Sequence, residues 1–390
     1  MEFLVQRMRG FDTTIFAEMS ALATATGAIN LGQGFPDTDG PAEVLEGAIE
    51  AIRAGHNQYP PGRGIPHLRA AIVRHQQHHY GLTYDPDTEV LVTAGATEAL
   101  AASIQALCEP GDEIIAFEPT YDSYQACAAL AGARLVPVRL AAPDHRPDLT
   151  RLADAISPRT RMLLLNSPHN PTGMVLNDQE RRTIAELAVR HDLLVVCDEV
   201  YEHLTYDEPH VPLATLPGMA EHTIQISSAA KTFSVTGWKV GWLCASAPLV
   251  SAVATVKQFL TYVNAGPFQH GVAVGLDLPD ARFRALADGL RTSRDLLRAG
   301  LQEAGFEVYP AASGYFLVAD ASGMGVTDGL QFCRDLPHMA GVVAVPNQVF
   351  YLEPDPSVTP LIRFAHCKRP EVITEAVSRL AVLAGGATLG

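Results

Sequence analysis

The 390-residue chain carries 43 acidic and 28 basic side chains, a formal charge of −15, and is 47% hydrophobic. That excess of acid excludes the basic face on which a nucleic-acid backbone binder depends, and no apolar run reaches the ~18 residues of a membrane span. The length exceeds one ordinary hydrophobic core, so two compact units are expected.

Residues 1–10 hold two arginines and no apolar stretch of signal-peptide length, which points to a cytoplasmic chain. Further on, His75, His78 and His79 fall on a charged helical stretch with no acid at ligand spacing. A solvated face is expected there rather than a metal site, and no metal is expected elsewhere. Apolar runs then recur at 90–93, 113–117, 135–138, 161–165, 193–198, 223–227 and 241–245. Helical patterns separate most of them, as at 98–107, 123–131 and 178–190. This alternation predicts an α/β fold with a mostly parallel, roughly seven-stranded sheet covered by helices on both faces. The last run follows its predecessor too closely for a long helix, so one antiparallel neighbour is expected.

After Pro279 the texture changes. A long charged helix over 281–304 leads to short strands near 306–309, 315–318 and 361–364, and to a final helix from Pro370. A larger unit over 40–279 and a smaller α+β unit built from 1–39 and 280–390 are therefore expected. The six cysteines are scattered without a C-x-x-C pair, so buried thiols are expected rather than a disulfide framework. Trp238 and Trp242, four residues apart, are expected to pack.

Three motifs carry chemistry. Asn166-Ser167-Pro168-His169-Asn170-Pro171-Thr172-Gly173 follows one apolar run, and Cys197-Asp198-Glu199-Val200-Tyr201 closes another. Both read as loops at the carboxyl ends of parallel strands, where ligands bind in open α/β sheets. The third is Ser227-Ser228-Ala229-Ala230-Lys231, with a second lysine, Lys239, eight positions on. Partial burial and a nearby cation disfavour the ammonium form and free an amine to attack an aldehyde. Gly95-Ala96-Thr97 follows a strand and opens a helix, so its backbone N–H groups can cradle an anion. Arg363 lies in an otherwise apolar strand, where an unpaired charge is costly, and a guanidinium is the planar donor that a carboxylate calls for.

With these motifs in this order, the chain resembles the class I and II pyridoxal-phosphate aminotransferases of fold type I, from about Thr14 to the last helix. Within them it is most similar to the branch of kynurenine aminotransferase, glutamine transaminase K and methionine aminotransferase, and above all to the actinobacterial N-succinyldiaminopimelate aminotransferases. The resemblance implies pyridoxal 5′-phosphate as cofactor, with Lys231 as the amine that joins it and later moves the proton. Asp198 is implied to face the pyridine nitrogen, and Tyr201 and Asn170 the phenolic oxygen. Ser228, Lys239 and the Gly95-Ala96-Thr97 turn are implied at the phosphate, and Tyr121 on the ring face. Tyr59 is implied to reach the phosphate from a neighbouring subunit, which makes the enzyme a homodimer with shared active sites.

For the substrates, an L-amino acid and a 2-oxo acid, the resemblance implies Arg363, Gly34 and Asn170 at the α-carboxylate. Phe16 stands where kynurenine and glutamine enzymes carry a tryptophan. The substrate pair could be N-succinyl-LL-2,6-diaminopimelate and glutamate, with Arg63 a candidate for the distal acid. A kynurenine-, glutamine- or methionine-type enzyme with cysteine-conjugate β-lyase activity, or a specialised biosynthetic enzyme, fits the same residues.

Overall fold

The computed structural model describes residues 3–11 and 14–385. Helix α1 (Ile15–Thr26) begins at Thr14, whose side chain accepts from the Ala17 N–H. After a helix at Ala42–Arg53 comes helix α2 (Pro66–Tyr80). Strand and helix then alternate: β1 (Val90–Thr93), α3 (Gly95–Leu107), β2 (Glu113–Glu118), α4 (Asp122–Ala131), β3 (Arg134–Ala141) and β4 (Thr160–Asn166). Helix α5 (Asp178–Arg190) opens with a capping box in which Asn177 and Glu180 satisfy each other's backbone N–H. Strands β5 (Leu194–Asp198), β6 (Thr223–Ser228) and β7 (Gly241–Cys244) complete the series.

The sheet runs β1-β7-β6-β5-β4-β2-β3, and β7 is antiparallel to both its neighbours. The expectation of seven strands falls short by one. The two-residue segment Arg146–Pro147 pairs antiparallel with Leu140 and Ala141 at the edge, too short to leave an apolar run in the sequence. The central strands β4 and β5 carry unbroken apolar runs over 162–165 and 194–197, buried because helices cover both faces, as a parallel sheet requires. Gly241 is a close-approach position: a Cβ there would lie 2.5 Å from the Gly95 carbonyl carbon. Only glycine lets β7 run under the β1–α3 turn.

Beyond the sheet lie α6 (Asp280–Glu303), β8 (Phe316–Asp320), β9 (Leu361–Ala365) and α7 (Pro370–Leu380). Strands β8 and β9 pair antiparallel within a four-stranded sheet that also takes in Glu307–Val308 and Val345–Pro346. One hydrophobic cluster joins Met19 and Leu31 from the beginning of the chain to Leu297, Leu317, Phe364 and Ile373. Ile29 and Asn30 pair in parallel with Val342 and Val343. The six cysteines are free and buried. Trp242 is buried and Trp238 stacks on Phe268, as expected. No helix among the described residues is long and apolar enough to cross a membrane.

The solvated histidine face needs correcting. His75 is buried, and only His78 is fully on the wet side, where it pairs with Asp280 at 2.8 Å. The reason is helical phase. Leu68, Ala71 and Ile72 are buried, and His75, seven residues beyond Leu68, continues the same inward stripe.

Candidate active site

A cavity opens at the carboxyl ends of β4, β5 and β6, where three adjacent parallel strands each release a loop. Its lining includes Lys231, Asp198, Tyr201, Asn170, Tyr121 and Ser228. Gly95, Ala96, Thr97 and Lys239 form one side, and Gly34, Phe16 and Arg363 another. Thus every site residue expected from the sequence reaches it except Tyr59 and Arg63. Tyr59 is 81% exposed with its ring 5.8 Å from that of Tyr262. Arg63 donates to the Thr88 carbonyl.

The amine is set by the short helix Ala229–Thr232, which Ser228 caps through its hydroxyl. Lys231 Nζ donates to the Gly34 carbonyl at 2.8 Å and lies 5.2 Å from the Tyr315 ring centroid. Burial lowers its pKa to about 8; the Arg363 guanidinium pushes the same way, against Cys367 and Asp198. Gly34 is needed as glycine, because a Cβ would stand 2.3 Å from the Phe316 ring.

Asp198 ends β5 fully buried. Tyr124 Oη donates to its Oδ2 at 2.7 Å and the Val200 N–H to its Oδ1 at 3.4 Å. Burial raises its pKa to about 6, with these hydrogen bonds opposing. Among the described residues, no cationic side chain pairs with it. A carboxylate buried without an ion partner is costly unless a positive group meets it. Asn166 fixes the floor: its Nδ2 donates to the Asp198 carbonyl at 2.8 Å, and its Oδ1 accepts from the Asn170 N–H at 2.7 Å.

The turn between β1 and α3 is the candidate anion cradle. Gly95 has φ +74°, and a Cβ on it would lie 3.2 Å from Lys239 Nζ, so amine and turn converge. The Glu98 carboxylate accepts from the Ala94 N–H and from the Thr261 hydroxyl, and Asn264 donates to the carbonyls of Thr93 and Lys239. The cradle is therefore braced by the 261–264 loop.

Arg363 faces the opposite wall. Its Nη2 donates to the Gly32 carbonyl at 2.9 Å and its Nη1 to Asn170 Oδ1 at 3.3 Å, while Nε has no partner. The guanidinium lies 3.9 Å from the Phe316 ring centroid, 4.6 Å from Phe350 and 5.2 Å from Phe16. Burial lowers its pKa to about 10, still far above neutrality. No carboxylate among the described residues forms an ion pair with it.

Sequence reasoning missed Tyr124, Asn166, Gln33, Thr236 and Phe316, all of which line the cavity. Asn166 could have been found, because it closes its strand in the position that Asp198 occupies on the next one. Tyr124 gave no such signal. An aromatic one turn into a helix reads as core.

A lysine amine, a buried acid, an anion cradle and a buried guanidinium around one cavity define a class. Residues 26–380 match the family Aminotransferase class I and II. The chain belongs to that family and is an aminotransferase, with the fold type I architecture of its structural relatives. It is similar to the probable N-succinyldiaminopimelate aminotransferase DapC of Mycobacterium tuberculosis, at 51% identity over 97% of this chain and 98% of the relative. The solved structure of the M. tuberculosis N-succinyldiaminopimelate aminotransferase superposes with a TM-score of 0.95 over 98% of this chain and all of that one. The methionine aminotransferase of Escherichia coli is 39% identical over 94% of this chain and 95% of its own length.

Proposed function

We propose that this aminotransferase uses pyridoxal 5′-phosphate in the cavity described, and that its substrates are N-succinyl-LL-2,6-diaminopimelate and glutamate with their 2-oxo acids. The residues present fit the cofactor. The buried, unpaired Asp198 suits a protonated ring nitrogen, and the Gly95 turn with Lys239 and Ser228 suits a phosphate dianion. When bound, pyridoxal phosphate supplies an aldehyde that takes up an amino group and a ring that accepts the electrons left behind by the α-proton.

The chain's own residues do the rest. Lys231 Nζ would take the α-proton from the amino acid and deliver the same proton to the carbon that was the cofactor's aldehyde carbon. Asp198 would hold a proton at the ring nitrogen. Tyr201 and Asn170 would donate to the phenolic oxygen, and Tyr121 would cover the ring face. Arg363 grips the α-carboxylate in fork geometry while Asn170 and the Gly34 backbone border it. The observation that carries this reading is Arg363: a buried guanidinium that forms no ion pair with a carboxylate among the described residues, lining the same cavity as Lys231.

The substrate assignment rests on the 51% identical relative. A distal acid needs a further cation, and the cavity lining offers only Lys231, Lys239 and Arg363. We assign that role to Arg63 of a second copy in a homodimer, with Tyr59 of the same copy reaching the phosphate. Exposed Tyr59, Phe259 and Tyr262 give such a dimer an aromatic contact, and the 261–264 loop beside them braces the cradle. The larger unit, 40–279, then holds the cofactor, while 1–39 and 280–390 supply the Phe16 and Arg363 wall. A cytoplasmic location goes with this reading.

The test is a half-reaction screen following loss of the cofactor's visible absorbance. N-succinyldiaminopimelate and glutamate should convert it with the highest kcat/KM. Faster conversion by kynurenine, methionine or glutamine would replace this assignment with the broader aromatic and sulfur-substrate reading, which the Phe16, Phe316 and Phe350 wall would serve. Pyruvate and ammonia formed without a 2-oxo acid would show β-elimination.

A pH dependence follows from Lys231, whose pKa burial holds at about 8. Below that value the neutral fraction falls about tenfold per pH unit, and only the neutral amine is a nucleophile. Cofactor uptake by the apoprotein should quicken as pH rises and level off above about 8. Stopped-flow absorbance measures it, and a rate flat across this range would contradict the role.

A further inference from the structure

The buried His75 does not stand alone. His79, one helical turn on, and His203, from the loop after β5, bring one ring nitrogen each to within 4.8 Å of one another and of His75. The three ring centroids form a near-equilateral triangle: His75–His79 4.6 Å, His75–His203 4.8 Å and His79–His203 4.8 Å. His75 Nε2 faces His203 Nε2 at 2.6 Å, and His75 Nδ1 is buried without a partner among the described residues.

We propose that His75, His79 and His203 form a binding site for a divalent transition-metal cation of the zinc type, separate from the catalytic cavity. Two histidines at i and i+4 project from one face of a helix, and a third closing the triangle from another segment supplies the facial three-nitrogen set that zinc accepts. Tetrahedral coordination at the usual zinc–nitrogen length places the nitrogens about 3.4 Å apart, so the rings need only close one gap and open another by rotamer adjustment. Nitrogen donors favour zinc, copper and nickel over the hard alkaline-earth ions magnesium and calcium.

The surroundings suit a metal better than a proton. Burial lowers the pKa of His75 to about 3 and that of His203 well below its ordinary value, and lowers that of His79, so lone pairs are available at neutral pH. Phe283 walls the cluster, its ring 4.4 Å from that of His203 and 5.4 Å from that of His79. His79 and His203 remain partly exposed, which leaves an entry path and a position for water as fourth ligand. The cation would tie α2 to the loop that follows Asp198 and carries Tyr201, because His203 lies two residues past Tyr201.

A competing arrangement shares His79: His78, His79 and Asp280 also converge at the surface. The two are separable with the holoenzyme, stripped by chelator and then titrated with Zn²⁺ or with Co²⁺ as a coloured probe. The expected result is one tight equivalent per chain, visible Co²⁺ bands of tetrahedral intensity, and a higher melting temperature with Zn²⁺. H79Q and H203Q should each weaken binding at least about tenfold and abolish the Co²⁺ bands, while D280N leaves both unchanged. His79 and His203 are partly exposed, so these variants keep their packing, which circular dichroism verifies. No tight equivalent in the wild type, or unchanged binding in H203Q, overturns the proposal. So does a loss in D280N equal to that in H203Q.

Discussion

Replacing Lys231 with alanine should reduce amino transfer by roughly 10³-fold or more, because on the proposed reading the variant loses both the amine that captures the cofactor and the base that moves the proton. The fold should survive. The side chain makes one hydrogen bond, to the Gly34 carbonyl, and its backbone carbonyl still accepts from Tyr315 Oη. Stability should even rise in the apoprotein. Burial depresses the lysine's pKa from 10.5 to about 8, so the folded state holds its proton less tightly than the unfolded chain does. That penalty is fully present below pH 8 and fades as pH climbs towards the unfolded value. At neutral pH the alanine variant should therefore melt higher than wild type without cofactor, and the difference should shrink in alkali. Turnover within tenfold of wild type would remove Lys231 from the chemistry. A lower melting point at neutral pH would show that the amine is structurally satisfied rather than waiting for a reaction.

Replacing Arg363 should separate recognition from chemistry. Losing one partner of a buried, hydrogen-bonded charge pair costs about 2–5 kcal/mol, so kcat/KM for amino acids should fall between roughly 30-fold and several thousand-fold in R363A. R363K should recover little, since an ammonium cannot present two parallel N–H groups to a carboxylate. Amines that lack an α-carboxylate provide the control. Their slow half-reaction should change far less, whereas a merely structural arginine would affect both classes alike. R363M should also stabilise the unliganded protein. It replaces a buried guanidinium that forms no ion pair among the described residues, and whose Nε finds no partner there, with an apolar chain between Phe16, Phe316 and Phe350. Equal loss for amino acids and simple amines would show that Arg363 acts through the wall rather than on the substrate.

The residues that were legible in the sequence share a position. Asp198 closes an apolar strand and Asn170 and Lys231 each follow one by a few residues, and strand ends in a parallel sheet face the ligand crevice. Arg363 stood out for the opposite reason, as a charge inside an apolar strand. Tyr124 was invisible because its meaning depends on the sheet order. It sits on the helix after β2, and it meets Asp198 only because β2, β4 and β5 lie side by side. His203 was invisible too: its partner His75 is 128 residues away. His75 itself was misjudged although its phase with Leu68, Ala71 and Ile72 was in plain view, because nearby charges outweighed the period.

Read alone, the amino-acid order determined the alternating α/β plan and the family, and it singled out the side chains to which the proposed chemistry is assigned. These depend on hydrophobic period and local turn chemistry, which act over a few residues. Only the tertiary structure decided which charges are unpaired, which protons are loosely held and which histidines meet. Solvation and electrostatic neighbours are properties of position in space, and the nearest groups to Asp198, Arg363 and His75 come from segments that chain distance alone does not bring together.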